Sequence, residues 1–369
     1  MTLKTFALAL CLLGSVISHA GERAVGKAEQ LSQLHTEGNR ILDEQGKPVR
    51  LCGVNTACLE WSADGEGHIL NTVRVAIRDW KANIIRVPLS QDRWIGQTRQ
   101  IGFSGQTIAG QTDGGASYRA LVRQVVDYCA SHRCYVLLDL HWNDAGMWGE
   151  NIGQHVMPDM NSLTFWRSCA QEYRNNPAVL FDLYNEPHNT TWDIWLNGGE
   201  ISETSGPGAR QGRFVPVKYQ TPGMQAMLDN VRSWGARNLV VCGGLDWAYD
   251  LSGFLKGYAL KDPTGNGVIY ACHVYNNKGE TIDKWLSHLD AALKHIPVIM
   301  SEFGGQNGGA TVNQPNAWVD RVIKEMDKRH CNYAAWDLHP AAGPTLISDW
   351  NYTPTPSFGA LVKASLAKR

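Results

Sequence analysis

A (β/α)8 TIM barrel is the fold this sequence predicts, and three observations predict it. Eight short, nearly continuous apolar runs lie between residues 51 and 336, and amphipathic stretches of helical period separate them. Such runs suit parallel strands covered on both faces, and eight of them with helical crossovers suit a closed barrel better than an open sheet. No Ser-, Pro- or Thr-rich linker or internal repeat divides the chain. One domain is therefore expected, although 369 residues would by length alone allow two.

Residues 1–20 place Lys4 before an apolar run from Phe6 to Ile17 and end in Ser18-His19-Ala20. This is a signal-peptide pattern, too short to span a bilayer, with cleavage expected after Ala20. The mature chain, residues 21–369, is expected to be exported, either secreted or periplasmic. It carries no later apolar stretch long enough to cross a membrane. Gly38–Val49 reads as a hairpin with its turn at Gln45-Gly46, placed to plug the barrel floor.

Strands are then expected at Leu51–Asn55, Ile84–Leu89, Tyr135–Leu140, Val179–Tyr184, Leu239–Cys242, Val268–Cys272, Pro297–Met300 and Asn332–Trp336. Helices are expected at Thr72–Ala82, Tyr118–Ser131, Leu163–Tyr173, Gly223–Trp234, Ile282–Leu293, Asn316–Lys328 and Ser357–Ala367. The period is clearest in Tyr118–Ser131, where Leu121, Val122, Val125, Val126 and Cys129 share one face. The connection near Leu251–Leu255 is too short to read as a helix. The stretch Pro187–Gln220, rich in Gly and Asn, reads as one long irregular loop. In a barrel it would stand at the strands' C-terminal rim, where active sites are built.

Composition narrows the function. The 34 basic and 35 acidic residues give a net charge of −1, which lacks the basic excess a nucleic-acid binder needs to meet phosphates. Loss of residues 1–20 would remove Cys11 and leave Cys52, Cys58, Cys129, Cys134, Cys169, Cys242, Cys272 and Cys331. That even number permits disulfides in an exported protein, while Cys242 and Cys272 sit in apolar runs as buried thiols would. No C-x-x-C, H-E-x-x-H, Walker A or G-x-S-x-G pattern is present, so no metal and no cofactor is expected.

The residues just past each strand carry the chemistry. Arg86 lies on the second strand, Asp139-Leu-His141-Trp142 ends the third, and Asn185-Glu186-Pro187-His188 follows the fourth. His273-Val-Tyr275 follows the sixth, Ser301-Glu302-Phe303-Gly304 the seventh, and Trp336 ends the eighth. Two carboxylic acids thus face each other across the barrel mouth. Such a pair breaks glycosidic bonds when one protonates the leaving oxygen and the other attacks or activates water. The two need different environments. Arg86 is expected to favour the ionised form of Glu302, and Glu186 is expected to hold its proton longer.

Leu183-Tyr-Asn-Glu-Pro-His188 and Ile299-Met-Ser-Glu-Phe-Gly304 resemble the acid/base and nucleophile motifs of glycoside hydrolase family five, the cellulase A family. The leading hairpin, Gly53-Val-Asn55, Arg86-Val-Pro-Leu89, Asp139-Leu-His141, His273-Val-Tyr275 and Trp336 follow in the family's order, so the resemblance covers essentially the mature chain. It implies a retaining endo-β-1,4-glucanase, with Glu186 as general acid then base and Glu302 as nucleophile. It also implies that Asn185 meets the sugar 2-hydroxyl and that Arg86 and Tyr275 orient Glu302. His141 and His273 would line the cleavage subsite, and Trp336 would lie beneath its sugar. Mannan, mixed-linkage glucan or β-1,3-glucan as substrate, or transglycosylation, stays open, because loop geometry decides specificity. A non-catalytic polysaccharide-binding barrel stays as the lesser alternative, one that replacement of either glutamate by Gln or Ala would favour; both glutamates stand.

The last observation is aromatic: there are 14 Trp against 8 Phe. Trp80, Trp166, Trp234, Trp285 and Trp318 fall in helical patterns and read as packing. Trp61, Trp94, Trp142, Trp148, Trp192, Trp195, Trp247, Trp336 and Trp350 fall after strands or in loops. A wide indole can cover a sugar's C–H face while its N–H donates to a hydroxyl. Trp142, Trp148 and Trp247 are expected to bind sugars in outer subsites. The expected partner is a polysaccharide or oligosaccharide, met by a monomer, with no nucleic acid and no membrane after signal cleavage.

Overall fold

The computed structural model of the protein describes residues 31–102, 105–204 and 216–368. The expected signal peptide lies outside the described residues. Eight parallel strands close into a barrel in sequential order. They are β1 (Cys52–Asn55), β2 (Ile84–Ser90), β3 (Tyr135–Trp142), β4 (Val179–Asp182), β5 (Val240–Gly243), β6 (Val268–Tyr275), β7 (Val298–Gly304) and β8 (Asn332–Ala335). Every expected strand is present. β3, β6 and β7 run farther toward the rim than expected, which carries Trp142, Tyr275 and Glu302 on ordered backbone.

The strands are buried along nearly their whole length. Their outward residues pack under a ring of helices: α1 (Ile69–Arg78), α2 (Ala116–Ser131), α3 (Ser162–Tyr173), α4 (Met224–Ser233), α5 (Ile282–Leu293), α6 (Ala317–Lys328) and α7 (Gly359–Leu366). Tyr118, Val122, Val125, Val126 and Cys129 are the buried face of α2. Each such fully buried apolar side chain contributes ~1.5–3 kcal/mol relative to exposure. Thr281 and Asn316 cap α5 and α6 by accepting from Lys284 N and Val319 N, so those helices start where a side-chain acceptor meets an orphan N–H.

The barrel floor is closed by the N-terminal segment. Leu34 and Ile41 pack with the inward residues Leu51, Ile84, Leu137, Leu180, Val241, Ile269 and Ile299. The hairpin differs in detail from the expectation. Its paired strands are His35–Glu37 and Arg40–Leu42, turning at Gly38 (φ +60°). The expected turn at Gln45-Gly46 is a second return, in which Gly46 N donates to Asp43 O and Leu42 bridges Pro48.

One further expectation is corrected. Pro187–Gln220 is not one irregular loop: its described part holds a helix, Trp192–Asn197, and an antiparallel pair, Gly199–Thr204 with Pro216–Thr221. Thr191 caps that helix by accepting from Ile194 N. The fifth crossover replaces its barrel helix by a distorted turn, Leu245–Ala248, and a short 3-10 turn, Phe254–Lys256. All eight cysteines from Cys52 to Cys331 are free thiols and buried, so the even number reflects core packing rather than bridges.

Candidate active site

Arg86 organises the barrel mouth from β2. It is fully buried, and only a side chain with five donors can satisfy what surrounds it. Nη1 donates to Glu302 Oε1 at 2.7 Å and to Asn55 Oδ1 at 3.0 Å. Nη2 donates to Asn185 Oδ1 at 2.7 Å and meets Asp139 Oδ2 at 3.0 Å, while Nε donates to Asp182 Oδ2 at 3.0 Å. Burial alone would lower the guanidinium, but Asp139, Asp182 and Glu302 outweigh it and hold it above the ordinary arginine range. Burial pushes both Asp139 and Asp182 up to about 7 in spite of Arg86.

Glu302, at the rim end of β7, is 3% exposed. Both of its oxygens are engaged, Oε1 by Arg86 and Oε2 by the Tyr275 hydroxyl at 2.6 Å. Burial, then the charge of Glu302, holds the Tyr275 phenol well above its usual range, so it remains a donor. Glu186 has a different setting. It follows β4, its side chain is 20% exposed, and Oε1 lies 3.0 Å from His273 Nδ1. Burial raises its carboxyl above the usual value, partly offset by His141, Arg86, His188 and Lys278. Oxygens of Glu186 and Glu302 and a ring nitrogen of His273 lie within 4.8 Å of one another. A cation among these three would sit beside the Arg86 guanidinium already bound to Glu302.

The histidines are neutral fixtures of this site. Burial lowers His273 to about 3 and His141 to about 4. His273 Nε2 lies 2.9 Å from Ser301 Oγ, and His141 Nδ1 lies 2.6 Å from Asp139 Oδ2. Asn185 Nδ2 donates to Gln154 Oε1 at 2.8 Å and lies 3.3 Å from His141 Nε2. Trp336, half-buried past β8, stacks on His141 with centroids 5.3 Å apart and planes 16° from parallel. The structure thus brings together Arg86, His141, Asn185, Glu186, His273, Tyr275, Glu302 and Trp336.

The outer tryptophans divide. Trp142 is half-buried beside Trp61, centroids 6.4 Å apart, and both line a hollow of about 540 Å³. Trp247 is 38% exposed, stacks on His188 at 4.6 Å, and has Lys278 Nζ 5.1 Å from its centroid. His188 Nδ1 lies 2.7 Å from Glu186 O, which ties this platform to the site. Trp148 is half-buried on the β3 crossover, and no contact among the described residues ties it to the carboxyl pair. Trp94 and Trp195 are fully buried, donating to Ser168 Oγ and Gly243 O at 3.0 Å each, and so pack loops against the barrel instead of facing a groove.

Sequence reasoning gave no role to Asn55, Asp139, Asp182, Ser301 or Gln154. A signal existed for the two aspartates, each a lone charge inside an apolar strand run that would be costly without a partner. Gln154 carried none.

Residues 42–342 match the pattern of the cellulase family, glycosyl hydrolase family 5. The chain belongs to that family. As a family-5 member it is a glycoside hydrolase. It is 22% identical over 385 residues to an endoglucanase of Paenibacillus polymyxa, spanning 94% of this chain and 90% of that protein. It is 29% identical over 312 residues to an endoglucanase of Microbulbifer sp. strain ALW1, covering 83% of this chain but 51% of that longer relative. A β-glucanase from Saccharophagus degradans, solved with cellotetraose, shares the family-5 fold at a TM-score of 0.65 and 22% identity, covering 92% of this chain and 94% of that one. The catalytic domain of Thermobifida fusca endoglucanase Cel5A, also solved with cellotetraose, superposes at 0.60 with 18% identity over 91% of this chain and 97% of that one.

Proposed function

We propose that this family-5 member is a secreted, retaining endo-β-1,4-glucanase, with Glu186 as acid then base and Glu302 as nucleophile. The observation that carries the reading is the asymmetry of two close carboxyls. Glu302 is held on both oxygens by a cation and a phenol, whereas burial raises the more open Glu186. The first setting suits an anionic nucleophile and the second a proton donor. One oxygen of each lies within 4.8 Å of the other, which fits the ~5–5.5 Å spacing of retaining pairs better than the ~6.5–9.5 Å of inverting ones.

In the first step Glu302 attacks the anomeric carbon, the bond to the leaving sugar breaks, and the Glu186 proton passes to the departing oxygen. In the second, Glu186 takes a proton from water, the water oxygen attacks the same carbon, and the ester to Glu302 breaks. Asn185 meets the 2-hydroxyl, where a hydrogen bond strengthens as the oxocarbenium-like state forms. His141 and His273 line the cleavage subsite over Trp336, and Trp142, Trp148 and Trp247 contact sugars farther along the groove.

Glucan as substrate is supported by the endoglucanase relatives and by cellotetraose in two structures of like fold. The reading takes residues 1–20 as a signal peptide removed on export and residues 21–369 as one catalytic domain, a cofactor-free monomer acting outside the cytoplasm. Reducing-end release on glucans, mannans and xylans, with products resolved by length, tests it. Oligosaccharides from β-1,4-glucan are expected. Preferential release from mannan would reassign the substrate, and release of glucose alone would remove the endo mode.

A further inference from the structure

Both amide protons of Asn185 are engaged. Nδ2 donates to Gln154 Oε1 at 2.8 Å and faces His141 Nε2 at 3.3 Å. With Asp139 Oδ2 2.6 Å from His141 Nδ1, the neutral ring carries its proton there and leaves Nε2 as an acceptor. Arg86 Nη2 fixes the other end of the amide through Oδ1 at 2.7 Å. An Asn185 proton can reach a sugar hydroxyl only if one acceptor yields.

The two acceptors differ in freedom. His141 is 8% exposed and held by a buried aspartate. Gln154, on the β3 crossover, is partly exposed and borders a hollow of about 410 Å³ with His188 and Ser202. Its Nε2 donates to His155 O at 3.1 Å and Glu186 O at 3.2 Å. One carboxamide therefore links the Asn185 side chain to the backbone of Glu186.

We propose that Gln154 is a positioning residue of the glycosidic reaction: it aligns Asn185 with Glu186 and yields the Asn185 Nδ2 proton to the 2-hydroxyl of the sugar being cleaved. This rests on the function proposed above. Without Gln154 the amide loses its alignment, and a substrate with a 2-hydroxyl loses more than one without it.

The test compares an aryl β-cellobioside with its analogue lacking the 2-hydroxyl on the sugar next to the aryl group. Wild type, Gln154→Met and Gln154→Glu are assayed after their melting temperatures are matched. Gln154→Met is expected to lower kcat on the parent about tenfold with KM within about twofold, and to shrink the parent-to-deoxy rate ratio by a similar factor. Gln154→Glu keeps the acceptor for Asn185 but loses the donor to Glu186 O, and is expected to recover that ratio only in part. If Gln154→Met slows both substrates equally, or neither, the inference is overturned and the functional reading stands. A wild type inactive on the parent overturns both.

Discussion

Arg86 Nη1 meets Glu302 Oε1 at 2.7 Å, with the two side chains 0% and 4% exposed. The same guanidinium binds Asp139 and Asp182, so one cation offsets three buried carboxyls. Removing it leaves charges buried without a partner, a loss of about 3–5 kcal/mol. Arg86→Ala is therefore expected to lose that much unfolding free energy in urea titrations, with a lower midpoint than wild type, and to be inactive. Arg86→Lys keeps the charge but not the fork, and should fold with a lowered kcat. An Arg86→Ala variant as stable as wild type would contradict this account.

In the proposed mechanism Glu186 acts in both steps, but the first needs its proton only when the leaving group is poor. Glu186→Ala is expected to cut turnover of glucan by about 10²–10⁴-fold. It should still release a burst of dinitrophenol from the dinitrophenyl β-cellobioside. Stopped-flow absorbance reads the burst, and equal losses on both substrates would remove the acid role.

The pH profile has a defined sign. In the proposed mechanism Glu186 must be protonated to act as the acid, and burial raises it, so kcat/KM on glucan should fall as pH rises through a value above that of an ordinary glutamate. His273 and His141, lowered to about 3 and about 4, are neutral across that range and do not supply the limb. Initial rates from pH 3 to 10 check this; the alkaline limb should vanish from the kcat/KM profile of the dinitrophenyl substrate.

The crossover that carries Gln154 is anchored on buried carboxyls. Gln91 Nε2 donates to Asp144 Oδ1 at 2.9 Å and to Asp159 Oδ2 at 3.0 Å, and Gly146 N donates to Asp159 Oδ2 at 2.7 Å. Burial first, then Asp159 and Asp92, holds the Asp144 carboxyl far above its usual range. Such a group keeps its proton when folded and loses it when unfolded above its ordinary value, so its contribution to stability falls as pH rises. Asp144→Asn removes that titration. Its melting temperature relative to wild type should climb steadily from pH 4 to pH 9, and a constant difference would contradict the assignment.

Buried thiols should be silent toward reagents. All eight cysteines from Cys52 to Cys331 are free and buried, so native protein should resist iodoacetamide and unfolded protein should take up eight labels on those residues, counted by mass spectrometry. A reductant should leave the melting temperature unchanged. Labels missing after unfolding without reductant would reveal a bridge.

The barrel and its carboxyl pair were legible because both are local signals. Apolar runs mark buried strands, and Glu186 and Glu302 follow two of them directly. Asp139 and Asp182 could be seen but not assigned, since their partner Arg86 lies 96 positions from Asp182. The Gly199–Thr204 and Pro216–Thr221 pair was hidden because its residues alternate exposed and covered without a strong apolar face. Trp94 and Trp195 resemble rim tryptophans in sequence position and differ only in burial, which the fold decides.

The central claim is a glycosyl ester on Glu302. The measurement is trapping with an activated 2-deoxy-2-fluoro-β-cellobioside, followed by peptide mass spectrometry. The account predicts time-dependent inactivation and one fluorocellobiosyl label on Glu302. A label on Glu186, or steady turnover of the reagent to the inverted sugar with no label, would contradict it.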